Sequence, residues 1–225
     1  MRNILVGALY DLGADYPVYK ELTEISLKRI AAFNPEIDEF VVLVNNSGVR
    51  STTEMFREWF HKVHSLWQSG DVNILMIETD VLCHGSVMPL YNGDKFMMYS
   101  SGSAADPEEF NSGIVYFPAS MDPSLWEPML ESTKAGNWNT KWAFNQQVMD
   151  KVFKSQFGSY DACIEEIKKY GPVGKYNWFE GLFKSDLKSQ DAILTHHFTS
   201  RGPHRLLELY KKHDLASPVP IYRTL

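Results

Sequence analysis

Three short runs at 4–9, 40–44 and 74–77, built almost entirely from apolar residues, set the strongest constraint on what this chain can fold into. A run of that length, bounded by turn residues and apolar throughout, is a strand covered on both faces. The segments between them carry apolar residues at helical spacing. Val18, Leu22 and Ile25 mark one such face, and Met55, Phe56, Trp59, Phe60, Val63 and Trp67 mark the next. The first helix should end near Asn34-Pro35, and the second opens on a capping box, Ser51-x-x-Glu54. Strands alternating with amphipathic helices imply an α/β fold around a mostly parallel sheet.

Past Asp80 the pattern changes. Residues 96–99 and 113–117 read as strands, separated by a Gly/Ser/Asp/Pro loop at 100–110 with no helix between them. The sheet should therefore turn partly antiparallel there. Asp122-Pro123 opens a helix expected to run to about residue 136. Further helices are expected at 140–155, with Phe144, Val148 and Val152 on one stripe, and at 161–170, with Cys163, Ile167 and Tyr170. The tail reads as a helix over 203–213 followed by a Pro-rich end. Nothing marks a linker or a repeat, so 1–225 is expected to be one domain.

The third apolar run stops on Glu78-Thr79-Asp80. In an extended chain residues i and i+2 share a side, so Glu78 and Asp80 project together beyond the carboxyl end of a buried strand. Ligands bind at that end of open α/β sheets. Two converging carboxylates repel unless a proton or a cation lies between them, and a hard divalent ion with open positions for phosphates suits such a pair. Taken alone, the pair also reads as ordinary solvated acids at a strand end.

Composition narrows the partners. The net charge of -6 argues against a nucleic-acid backbone binder. An acidic protein that handles phosphates needs a local positive charge, which a bound metal supplies. Aromatic residues at 13% suit both core packing and a stacking surface. Cys83 and Cys163 are the only cysteines and lack Cys-x-x-Cys spacing, which suggests neither a disulfide framework nor a zinc site and fits a reducing compartment. No apolar run approaches the roughly 20 residues of a membrane helix. The first strand is too short and wrongly flanked for a signal peptide. A soluble, cytoplasmic protein is expected, in the host cytoplasm if the source is viral.

Five blocks in order turn this outline into a resemblance. They are Ala8-Leu9-Tyr10-Asp11, Glu78-Thr79-Asp80-Val81-Leu82, Phe110-Asn111-Ser112-Gly113-Ile114, Asn145-Gln146-Gln147-Val148-Met149-Asp150, and the pair Tyr176-Asn177-Trp178 with His196-x-x-Thr199-x-x-Gly202-Pro203. Together they resemble the GT-A fold glycosyltransferases, and within them glycosyltransferase family 8. The resemblance implies a Rossmann-like, mostly parallel sheet flanked by helices, with a smaller antiparallel part. A nucleotide-binding half would span 1–100 and a sugar and acceptor half 101–225.

In that family the first block meets uracil and ribose, which assigns Ala8, Leu9, Tyr10 and Asp11, with Glu78, Thr79 and Asp80, to the nucleotide. The second block resembles an Asp-x-Asp metal motif, and the family's histidine matches His196, giving Glu78, Asp80 and His196 as metal ligands. A carboxylate and imidazole set favours Mn2+ over Mg2+, though Mg2+ is compatible. Asn111, Ser112, Gly113, Asn145 and Gln146 would line the donor sugar, with Asn111, Asn145 and Gln146 as the catalytic group. The sequence departs from the family at several points. Glu78 replaces an aspartate, and Asn145 replaces an acid, which removes a carboxylate nucleophile there. Thr199 replaces a glycine, Gly202 the phosphate-binding lysine and His204 a tryptophan. Arg201, with Gly202, would take over the diphosphate.

Bland readings stand beside these. His61-x-x-His64 lacks a zinc signature and suits a solvated helix face. His197 adjoins His196, and only one of the two is expected to face the site. Cys83 suits packing, and Lys95 a solvated loop. Trp138, Trp142 and Trp178 divide evenly between stacking on sugar and packing. The resemblance implies a metal-dependent hexosyltransferase that moves a sugar from a UDP-sugar to a glycan or glycoprotein hydroxyl with retention. Its small size and lack of a membrane anchor resemble bacterial or viral enzymes. Two other classes stay open: a sugar nucleotidyltransferase, for which the Gly7–Gly13 segment lacks basic partners, and a UDP-sugar-binding module without turnover.

Overall fold

The computed structural model describes residues 1–9, 15–44, 52–99, 110–132, 144–179, 189–197 and 202–225. β1 (Arg2–Leu9), α1 (Tyr16–Phe33), β2 (Glu39–Val44), α2 (Thr52–Gln68) and β3 (Val72–Ile77) follow in the expected alternation. Every residue of β3 is buried, as its apolar run requires. Then come β4 (Val81–Cys83), β5 (Met97–Met98), β6 (Ile114–Phe117), α3 (Trp126–Ser132), α4 (Phe144–Phe157) and α5 (Tyr160–Lys168). β7 (Trp178–Phe179), β8 (Leu194–His196), α6 (Pro203–Lys211) and β9 (Tyr222–Thr224) complete the chain.

The main sheet has the order β5-β6-β3-β1-β2-β9. β1 runs parallel to both β2 and β3, and β9 runs parallel to β2. β6 is antiparallel to β3 and to β5, so the partly antiparallel edge is where the loss of helices placed it. The chain leaves β1 for β2 on one side and then crosses to β3 on the other. The carboxyl ends of β1 and β3 therefore flank a topological switch point, where a ligand crevice forms in such sheets.

A second sheet, β4-β8-β7, was not expected from the sequence. β4 leaves the main sheet immediately after Asp80 and pairs antiparallel with β8, with Val81 opposite His196. Helix α1 holds β4 in place. Ser26 Oγ donates to the Val81 carbonyl at 2.6 Å, and buried Arg29 donates from Nε to the Cys83 carbonyl at 2.5 Å. Arg29 Nη1 reaches the His213 carbonyl at 2.5 Å, which ties the segment after α6 to the same spot.

Other details differ from expectation for local reasons. Asp122 does cap a helical turn, with Oδ1 accepting from the Ser124 N–H at 2.9 Å, but that turn is a short 3-10 segment, Pro123–Leu125, ahead of α3. The Pro-rich end carries β9, an edge strand where proline is tolerated. His64 is half-buried, its ring 5.0 Å from that of Trp126 and 6.3 Å from that of Trp67, because α3 packs over this face of α2. Lys95 pairs with the buried Glu166 at 3.5 Å. Trp126 in turn stacks on Phe117, centroids 4.9 Å apart. No helix among the described residues is long and apolar enough to cross a membrane. The Ser51 cap, the loop at 100–109, Trp138 and Trp142 lie outside the described residues.

Candidate active site

Glu78 and Asp80 leave the carboxyl end of β3, and His196 is the last residue of β8. The pairing of β8 with β4 brings them together, reinforced by the His197 N–H donating to the Asp80 carbonyl at 2.8 Å. One ligand atom from each of Glu78, Asp80 and His196 lies within 4.8 Å of the other two. His196 Nε2 stands 3.2 Å from Asp80 Oδ1 and 3.6 Å from Glu78 Oε2. Among the described residues this is the one His/Cys/Asp/Glu group of three or more able to hold a metal ion.

The electrostatics favour a proton or a cation at this point. Burial first, and the Asp80 charge second, push the Glu78 carboxyl up to about 7, against the opposing pull of His196 and Ser112. Burial opposes the His196 imidazolium, yet the charge and hydrogen bond of Asp80 and the charge of Glu78 outweigh it and raise that pKa. When the ring is neutral with its proton on Nδ1, Asp80 Oδ1 is buried without a donor. A lone-pair nitrogen and two carboxylates then face one another. A divalent cation fits this donor set, since all three groups bind it in their deprotonated form.

The surrounding residues fix the triad. Ser112 Oγ donates to Glu78 Oε1 at 3.4 Å, and the Glu78 N–H donates to the Gly113 carbonyl at 2.9 Å. A Cβ on Gly113 would lie 2.3 Å from His196 Cε1 and 2.6 Å from its Nδ1, so glycine is required by the imidazole packed on it. The Phe179 ring flanks His196, with centroids 4.5 Å apart.

The remaining expected site residues divide into four groups. Asn111, Ser112, Gly113 and Gln146 gather beside the triad. Asn111 Oδ1 accepts from the Gly113 N–H at 2.7 Å, and the buried Gln146 accepts through Oε1 from the Ser112 N–H at 3.3 Å. Each carboxamide oxygen is therefore engaged by a backbone N–H. Ala8, Leu9 and Thr79 form a buried wall instead: Thr79 Oγ1 donates to the Ala8 carbonyl, which joins the ends of β1 and β3. Tyr10, Asp11 and Arg201 lie outside the described residues, as does the side chain of Asn145 in the first turn of α4. Gly202 caps α6 at φ 90°, a left-handed backbone that lysine would strain. His197 turns to a different neighbour, with Nε2 3.0 Å from Thr195 Oγ1, and burial pushes its pKa down to about 4.

Solved structures share this architecture. A glycosyltransferase involved in glycosylation of the major capsid of PBCV-1 superposes with a TM-score of 0.61 at 10% identity, covering 94% of this chain and all (100%) of that one. The chain has the GT-A glycosyltransferase fold. The apo form of glycosyltransferase GlyE from Streptococcus pneumoniae TIGR4 gives 0.60 at 14% identity, and the apo bifunctional glycosyltransferase WbbM gives 0.55 at 13%. This chain's GT-A fold spans 61% of the GlyE chain and 45% of the WbbM chain, with 96% and 87% of its own length covered. No protein-family model and no curated protein matches the sequence.

The sequence did not point to the flanking Phe179, to the bond from Ser112 to Glu78, or to the role of Asn177 Oδ1, which lies 3.3 Å from His196 Nδ1. Asn177 lies inside a block of the resemblance, but its partner is set by the parallel pairing of β7 with β8.

Proposed function

We propose that the protein is a metal-dependent glycosyltransferase. It moves a hexose from a UDP-sugar to a hydroxyl of a glycan or glycoprotein acceptor, with retention of configuration. The observation that carries this reading is the carboxylate and histidine triad at the β1/β3 switch point of a GT-A fold. Glu78, Asp80 and His196 would hold Mn2+, or Mg2+ in its place. Bound there, the ion supplies Lewis-acid stabilisation of the charge that develops on the departing diphosphate.

The chain's own residues do the rest. Asn111 and Gln146 offer amide donors to sugar hydroxyls, since their oxygens are already engaged by the Gly113 and Ser112 N–H groups. Ser112 steadies Glu78, and Asn145, at the start of α4, would complete the sugar pocket near the positive end of that helix. With the Gln146 oxygen committed and no acid at position 145, attack by the acceptor on the same face the diphosphate leaves is the favoured course. Arg201 would meet the diphosphate beside Gly202, and Ala8, Leu9, Tyr10 and Asp11 would line the nucleoside.

UDP release from a panel of UDP-sugars, with and without Mn2+, tests the reading, and NMR of the new linkage reports its anomeric configuration. Activity that persists in excess chelator refutes the metal role. Asp80→Ala should abolish turnover while the fold persists, and an unchanged rate would remove Asp80 from the site. A binding protein without turnover is the second reading, favoured by a glycine at φ 90° where the family pattern has lysine. It predicts stabilisation by UDP with Mn2+ and no UDP release from any donor.

A further inference from the structure

His196 is held from behind by a side chain with no place yet in the reaction. Asn177 is 1% exposed and His196 3% exposed, so neither has water to complete its bonding. The parallel pairing of β7 with β8 sets Phe179 opposite His196 and draws Asn177 against the imidazole. Two partners fix the carboxamide. Its Nδ2 donates to the Tyr99 carbonyl, which accepts only, and so its Oδ1 must face His196 Nδ1 at 3.3 Å. An amide oxygen cannot donate, so the proton of that bond belongs to His196 Nδ1.

The neutral ring then carries its lone pair on Nε2, the nitrogen 3.2 Å from Asp80 and 3.6 Å from Glu78. Turning the ring over would put a carbon against the amide oxygen and another toward the carboxylates. Phe179 on one side and the bare Gly113 on the other leave no room for a tilted alternative.

We propose that Asn177 is a positioning residue, which holds His196 in the Nδ1–H tautomer and so aims the Nε2 lone pair at the point where Glu78 and Asp80 converge. The inference rests on the metal reading of that triad and adds to it a residue outside the three ligands. Partners of this kind orient metal-bound histidines, and their loss weakens metal affinity by about 10- to 100-fold.

Two substitutions separate positioning from structural support. Asn177→Leu removes both bonds. Asn177→Asp also loses the amide donor to Tyr99 but keeps an acceptor for Nδ1. Titration calorimetry of the metal-free proteins with Mn2+ should show binding weakened about 10- to 100-fold in Asn177→Leu and within about threefold of wild type in Asn177→Asp. Melting temperatures should fall in both. Equal weakening in the two variants, or wild-type affinity in Asn177→Leu, would overturn the proposal.

Asp80→Ala distinguishes the layers: if it binds Mn2+ as wild type does, the triad is not the metal site and the proposal falls with that reading. A measurement on the wild type needs no variant to fold. Long-range 1H–15N correlation of metal-free protein at alkaline pH should find the His196 proton on Nδ1, and finding it on Nε2 would overturn the assignment.

Discussion

Gly113→Ala tests the architecture of the site most directly, because the space for the added methyl group is already filled. The new Cβ would lie 2.3 Å from His196 Cε1, 2.6 Å from Nδ1 and 2.8 Å from Asn111 Oδ1. Carbon atoms in contact prefer about 3.5–4.0 Å, so the ring would have to retreat by roughly 1 Å or more. It has nowhere to go, with Phe179 at 4.5 Å between centroids and Asn177 bonded at Nδ1. Overpacking of this kind costs about 1–3 kcal/mol. In a domain of this size each kcal/mol lowers Tm by about 2–4 °C. Thermal melts of the metal-free protein read that cost without reference to any ligand. Calorimetric titration with Mn2+ should then show affinity reduced about tenfold or more, as for a disturbed ligand shell. A Gly113→Ala protein with the parental Tm and the parental Mn2+ affinity would refute this packing argument.

Three other outcomes follow from charges placed elsewhere. Because the Glu78 carboxyl sits at about 7, protons compete with a cation there. With the His196 imidazolium favoured as well, a second proton competes, so Mn2+ affinity should fall at least tenfold per pH unit below that point, and a flat profile between pH 5 and about 7 would count against the assignment. His84, pushed down to about 4 by burial and then by Arg29 and His213, stays neutral in the fold while an unfolded histidine titrates near 6.5. Its contribution is present above about 6.5 and lost as pH falls toward 4, so His84→Gln should flatten that part of the urea-midpoint profile and an identical profile would contradict it. Arg29→Met orphans the Cys83 and His213 carbonyls, each at 2.5 Å from the guanidinium. The expected loss is about 1–3 kcal/mol per carbonyl in denaturant unfolding, and an unchanged midpoint would show that water replaces the arginine.

Local chemistry made the centre of the molecule legible. β1, β2 and β3 announce themselves because a strand buried on both faces needs apolar residues at every position. Glu78 and Asp80 follow from the two-residue period of an extended chain. The second sheet was hidden because β4 and β8 are three residues each and β7 two, too short for any period to develop. Their stability comes from pairing segments far apart in sequence and from Ser26 and Arg29 on α1. His64 was misread for a related reason: a helix face looks solvated until α3 is laid over it. Gly113 was expected among the residues lining the donor sugar, and the packing of the His196 imidazole against it could not be read from the sequence. His196 was identified through a resemblance, while Asn177 behind it is brought there by a strand pairing too short to leave a sequence signal.

The crossing of β4 onto β8 has a mechanical consequence. Two of the three groups that converge at the switch point sit where the first half of the chain leaves the main sheet, and the third arrives on a strand near the other end. An ion gripped by all three would act as a clasp across a very long loop. It would withdraw from the unfolded chain freedom that no local contact can restrict. Stripped of that clasp, the small sheet keeps its short ladders and, on β4 alone, the anchors from Ser26 and Arg29, so proteases should nick the chain around β7 and β8 well before they reach the deeply enclosed β1 and β3.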